Sequence, residues 1–362
     1  MTAPDQRFER PISEGEPTPK IVVTGIGFEH RPYNLQGIAT VFQQLTEGLE
    51  AKNGGRRIVY LENPGKTARD VERIKADVDT YGGLTGYLVK EGLIGSFGIA
   101  PTPDRVKATI NVIALAVKNG NYDSLPNDAQ AYLLYRGLDE IRQETDFEVD
   151  FEAQTPGIIK NDESTYARYQ RLSLETQRYW SAGQFAQFLE RYKRAKSTIH
   201  ASGAMRNPGI AEQIRRRIKE LQQDPEGGSI VLLLGESHLP VIDMLQRQIG
   251  RTAPVIFEKR GGRVFRTSTE GILDKALSSK QQASDLVYAQ SAIVAFAIGE
   301  LAPSLKASGY YDYFMNNYED IYEACSEIAK GLTLDQMRQL CEARSSLATF
   351  FWERMRPLIQ EG

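Results

Sequence analysis

The chain has 362 residues, 41% of them hydrophobic and 25% charged, and a formal net charge of -3. That is ordinary globular composition, with enough chain for one large domain or two modest ones and a substantial core. So small a charge argues against a field that recruits nucleic acid or an anionic membrane. Two cysteines, Cys325 and Cys341, argue against a disulfide framework and a cysteine-ligated zinc site, and read as small core residues in a reducing compartment.

Residues 1–19 are polar and rich in Pro and Glu, with no apolar core of a signal peptide, and read as a disordered lead-in. Ile21-Val22-Val23-Thr24 running into Gly25-Ile26-Gly27 reads as a buried strand entering a tight turn. Leu35 to Ala51 has helical spacing and is stopped by Asn53-Gly54-Gly55. Arg57 to Leu61 is a second strand, closed by Glu62-Asn63-Pro64-Gly65. Strand, helix and strand with short joints predict two parallel neighbours.

From 66 to 222 the pattern is almost wholly helical, with segments at 105–118, 129–144, 165–195 and 210–222. Ser229 to Leu234 is a third, nearly pure apolar strand ending at Gly235, with a helix expected from His238 to Ile249. Pro254 to Phe257 opens another strand, and Lys259-Arg260-Gly261-Gly262-Arg263 reads as a hairpin turn into Val264-Phe265-Arg266. The remainder from 279 is helical in pattern, and its longest apolar stretch, 291–302, falls short of the ~18 unbroken residues of a membrane span. The expected fold is α/β: a central, mostly parallel sheet with flanking helices. Its organisation is a disordered segment 1–19, an α/β domain 20–278 with a helical insertion 66–222, and a helical C-terminal extension 279–362 packed on it. The expected location is cytoplasmic.

The chain has three histidines, His30, His200 and His238. His30 and His238 each stand three residues after a glycine that ends an apolar strand, in Gly27-Phe28-Glu29-His30 and Gly235-Glu236-Ser237-His238. Active sites of parallel sheets gather at the carboxyl ends of the strands, where Glu62 also falls. Two imidazoles and a carboxylate are a common divalent-metal set, and the same groups without metal still supply acid-base chemistry. Glu29 and Glu236 read as supports or bases, although acids at helix N-termini also stabilise the dipole.

Other features read as structural. His200 lies on a helix or turn six residues before Arg206, and Arg215-Arg216-Arg217 is a solvated helix face. Tyr310, Tyr311, Tyr313, Phe314, Tyr318 and Tyr322 read as helix packing or a subunit contact. Gly25-Ile26-Gly27 lacks the third glycine of a dinucleotide fingerprint, and no Gly-x-Ser-x-Gly elbow is present.

Four motifs stand in a fixed order: GFEH at 27–30, VYLEN with Glu62, AMRNPGIAEQIRRRI with Arg206-Asn207, and VLLLGESHLP at 231–240 with Leu239. This order resembles the TraB/Tiki family, in a superfamily with erythromycin esterases and ChaN-like haem-binding proteins. The resemblance covers roughly residues 20–260. Phe28 stands where a small hydroxyl residue is common, and Pro208 follows an Arg-Asn pair that should open a continuing helix. The resemblance implies that His30, Glu62 and His238 are metal or catalytic groups and that Arg206 partners an anion or oxyanion. It implies a metal-dependent hydrolase of a peptide or ester bond, using Mn, Co or Zn, with Glu29 or Glu236 as base. The alternatives are a metal-free esterase with a histidine base, a non-enzymatic haem- or metal-binding protein, and a scaffold whose C-terminal helices bind a partner. The expected partners are a peptide or small-molecule substrate and a second copy of the chain, with no nucleic acid and no membrane insertion.

Overall fold

A five-stranded sheet in the order β3-β2-β4-β1-β5 organises the chain, and every strand pair in it is parallel. The strands are β1 (Ile21–Phe28), β2 (Arg56–Leu61), β3 (Glu148–Phe151), β4 (Gly228–Gly235) and β5 (Val255–Arg260). The computed structural model describes residues 21–28, 35–49, 55–62, 65–92, 102–119, 129–249, 255–260, 268–279 and 282–360. The central strand β4 is buried along its whole length, which is why GSIVLLLG carries no alternation of polar and apolar residues.

Helix α1 (Leu35–Leu49) lies on one face of the sheet with α2 (Ala68–Thr80), α3 (Leu84–Lys90) and α5 (Ala129–Glu144). Ile38, Val41 and Leu45 meet Ile26, Val59, Leu61, Val231 and Leu233 there. The opposite face receives the alternate residues Ile58, Tyr60, Ile230, Leu232 and Leu234. These pack under α8 (Pro240–Ile249) and the last part of α7 (Phe185–Gln222). Helix α4 (Pro103–Lys118) packs outside the first layer, against α3 and α5.

A second core is wholly helical. It joins the end of α6 (Pro156–Ser181), the first half of α7, α9 (Thr269–Ser278) and α10 (Asp285–Ala307) to the last four helices. Those are α11 (Tyr311–Asn316), α12 (Tyr318–Lys330), α13 (Leu334–Glu342) and α14 (Leu347–Gln360). Phe314, Tyr318 and Tyr322 are buried in this bundle, as are Cys325 and Cys341. Helix α10 is long and apolar enough by length and composition to cross a membrane. Most of that run is buried inside the bundle.

Several expectations need correction. Strands β1 and β2 are not neighbours, because β4 pairs with both and lies between them. The region 66–222 is not all helix, because the edge strand β3 pairs with β2 inside it. The segment expected at 165–195 is broken at Gly183, whose φ of 73° ends α6, and α7 begins at Phe185. Lys259 and Arg260 belong to β5 rather than to a turn, and the proposed hairpin at 261–266 lies outside the described residues. A 3₁₀ turn, Glu236–His238, precedes α8, which starts at Pro240 and not at His238.

The connections leave adjacent strands in opposite directions. From β1 the chain goes by α1 to β2, and from β4 by α8 to β5 on the other side of β1. Right-handed crossovers then put α1 and α8 on opposite faces, and the carboxyl ends of β1 and β4 are the topological switch point where ligands bind in open sheets. Gly25 lets α8 approach β1, since a Cβ there would lie 2.6 Å from Ile242 Cγ1. Gly25→Ala is expected to cost about 1–3 kcal/mol in urea unfolding. In an Ile242→Ala background most of that cost should disappear, and additive effects would refute the close-approach account.

Candidate functional site at the carboxyl edge of the sheet

Three neighbouring strands end in the residues of the site. Glu152 follows β3, Glu62 follows β2, and the turn ending in His238 follows β4. The ladder continues one residue past two of these strands: Glu152 N–H donates to the Leu61 carbonyl at 2.9 Å and Glu62 N–H to the Leu233 carbonyl at 3.2 Å. This fixes the two carboxylates side by side on the edge. The Gly235 N–H then donates to Glu62 Oε2 at 2.6 Å, tying the end of β4 to the same carboxylate. Gly65, with a φ of 80° that suits glycine, turns the chain after Glu62 and donates to Gln154 Oε1 at 3.1 Å. Gln154 in turn donates to Glu152 Oε1 at 2.8 Å.

Arg206 reaches these carboxylates from the middle of α7. Its Nε donates to Glu152 Oε1 at 2.9 Å and its Nη2 to Glu152 Oε2. The same Nη2 lies 2.7 Å from Glu62 Oε1. Glu152 and Arg206 are 1% and 7% exposed, so the pairing is desolvated and the fork geometry of a guanidinium suits it. Burial works against the charge of Arg206, but its bonds to Glu152 and Glu62 outweigh this and hold it firmly protonated. Further along the same face of α7, Gln213 exchanges bonds with Ala153, its Nε2 donating to the Ala153 carbonyl at 2.7 Å and its Oε1 accepting from Ala153 N–H at 2.9 Å. Tyr60 donates to Gln213 Oε1 at 3.2 Å, and burial first, then Glu152 and Asp150, push its phenol pKa well up. Arg217 closes the series on Asp150 at 2.7 Å.

His238 is 2% exposed. Its Nδ1 lies 2.6 Å from Asn207 Oδ1, and its Nε2 lies 3.4 Å from Glu62 Oε1. With Asn207 Oδ1 accepting, Nδ1 carries the proton, and in the neutral ring Nε2 presents a lone pair towards a carboxylate. Among the described residues the cluster thus joins two carboxylates, one guanidinium and one imidazole.

The predicted residues therefore divide. Glu62, His238 and Arg206 come together, and Asn207 joins them. His30 and Glu29 lie outside the described residues, although β1 reaches the site because Phe28 pairs with Gly235. Glu236 lies in the turn before His238. Arg206-Asn207 does not open a helix: both residues sit inside the 38-residue α7, which continues through Pro208. Arg217 is not on a solvated face, since it bonds Asp150 and, at 2.6 Å, Glu220. His200 stands apart, 3.1 Å from Ser278 Oγ, its pKa lowered by burial and by Lys196. Sequence reasoning missed Glu152, whose only signal was an acid directly after the short run Glu148-Val149-Asp150-Phe151. Among the described residues no group of three His, Cys, Asp or Glu side chains is placed to hold a metal ion.

Comparison with protein-family models, curated proteins and solved structures gives no match.

Removing Arg206 should leave two buried carboxylates facing each other. Arg206→Met is expected to cost about 3–5 kcal/mol of stability in urea unfolding. Arg206→Lys should recover little of it, because an ammonium cannot make the fork. Recovery to the parental midpoint with lysine would show that charge alone suffices.

Proposed function

We propose that this edge is the active site of a metal-dependent hydrolase acting on a peptide or ester bond. The observation that carries the reading is the pair His238 Nε2 and Glu62 Oε1, 3.4 Å apart at the carboxyl edge of the sheet. Two ligands at about 2.0–2.1 Å from a tetrahedral ion stand roughly 3.3 Å apart, so the pair fits two positions around one cation. Asn207 supplies the further support that a ligating histidine usually has, a carbonyl oxygen accepting the proton of the other ring nitrogen. His30, two residues after Phe28 in the sequence, is the third ligand in this reading. The order of the four motifs, which resembles the TraB/Tiki family, supports the same assignment.

A divalent ion bound here would supply a water of lowered pKa and polarise a carbonyl. The chain's own residues then have distinct tasks. Glu62 and His238 would hold the ion, and Asn207 orients the imidazole. Arg206 neutralises Glu152 and keeps Glu62 in place. Its Nη1, which makes no bond among the described residues, would be left for an oxyanion. Glu236 or Glu29 would serve as the base. Such a hydrolase would act in the cytoplasm on a peptide or small-molecule substrate.

The test is metal content followed by activity. Protein purified without added metal should carry close to one equivalent of Mn, Co or Zn by mass spectrometry. His238→Ala and Glu62→Gln should each lose it, and Asn207→Ala should weaken retention by about 10–100-fold. Chelation should abolish hydrolysis of an ester or peptide library, and metal should restore it. Metal-free protein with undiminished hydrolysis, or full metal retention in both ligand variants, would falsify the proposal.

A further inference from the structure

The helical bundle contains a cavity of about 570 Å³, well away from the residues of the strand-edge site. It lies between α6, α7, α9 and α10 and has the size of a small-molecule site. Tyr169, Trp180, Tyr192 and Phe296 line it with aromatic rings. Ser173, Thr176, Gln177 and Ser181 line it from α6, an unusual run of polar groups against an otherwise apolar core. Ala295 and Gly299 on α10 keep the space open, since a Cβ at Gly299 would meet no atom within 4 Å.

The charges at the cavity are unequal. Lys196 is its one lining cation among the described residues, and it is bonded to Glu270, with Asp274 4.0 Å away. Its ammonium also lies 5.9 Å from the centre of the Tyr192 ring, so this wall already carries a cation on an aromatic face. Tyr322 donates to the other oxygen of Glu270. That pair is satisfied within the protein. Glu300 is the remaining charge: its Oε2 accepts from the Ala348 N–H at 3.1 Å, and its Oε1 has no hydrogen-bond partner among the described residues. Aromatic faces with a surplus carboxylate select a cation, and the apolar rings select an organic one.

We infer that this cavity binds a small organic ammonium ion, seated against the rings of Tyr169, Trp180 and Phe296 with Glu300 as its counter-charge. The inference is independent of the metal site. Benzyltrimethylammonium is the probe, with phenylacetate and benzyl alcohol as the anionic and neutral comparisons, titrated into the full chain and read by Trp180 fluorescence and calorimetry. The ammonium should saturate with a Kd of about 1 mM or tighter, and the comparisons should bind at least about tenfold more weakly. Glu300→Gln, which keeps an acceptor for the Ala348 N–H, should weaken the ammonium about tenfold, and Gly299→Leu should fill the space and abolish binding. Equal binding of phenylacetate, or no saturation of the parent protein by about 10 mM ammonium, overturns the inference whatever the variants do. So does parental affinity in both variants.

Discussion

The carboxyl edge of the sheet depends on one guanidinium. Glu62 and Glu152 are the first residues beyond two adjacent parallel strands, and ladder geometry alone brings their carboxylates together in a nearly dry place. Like charges at such spacing repel one another. Arg206 offsets this repulsion by bonding both at once, bidentate to Glu152 and singly to Glu62. The rest follows from that contact. It sets where α7 crosses the edge, hence where Asn207 stands, and hence which nitrogen of His238 is left facing Glu62.

Asn207 then orients the imidazole. Its Oδ1 lies 2.6 Å from His238 Nδ1, and the Nε2 of the ring lies 3.4 Å from Glu62 Oε1. A carbonyl oxygen beside one ring nitrogen and a carboxylate oxygen beside the other hold the ring from both sides, so its orientation is set jointly by α7 and by the end of β2.

Legibility in the sequence followed the strength of the local signal. Strands β1, β2 and β4 were legible because each is an apolar run ending in glycine or in a turn, and Glu62 and His238 could be placed from them. The edge strand β3 was not legible: Glu148-Val149-Asp150-Phe151 is four residues long, half of them acidic, and its pairing with β2 supplies the order that its composition lacks. Glu152 was lost with it. Strand adjacency was also hidden, since nothing in Ile21–Leu61 announces that β4 will insert between β1 and β2. Pro208 misled in another way. Its missing N–H removes the bond to the Ala204 carbonyl and reads as a helix boundary. Packing on both sides overrides that loss, with Ile210, Ile214 and Ile218 against the sheet and Phe185, Phe188 and Tyr192 in the bundle.

The length of α7 is itself part of the design of the molecule. At 38 residues it spans about 57 Å, far more than either core needs. One end completes the face of the sheet and the other completes the helical bundle, so neither core is closed without it. Lys196 and Arg206 both project from its middle, about 15 Å apart along the axis, each as the buried cation of its own acidic cluster. A separate helix for each core would leave these two clusters free to shift relative to one another. A single helix fixes their spacing and orientation, and ties the geometry of the strand-edge site to the packing of the helical bundle.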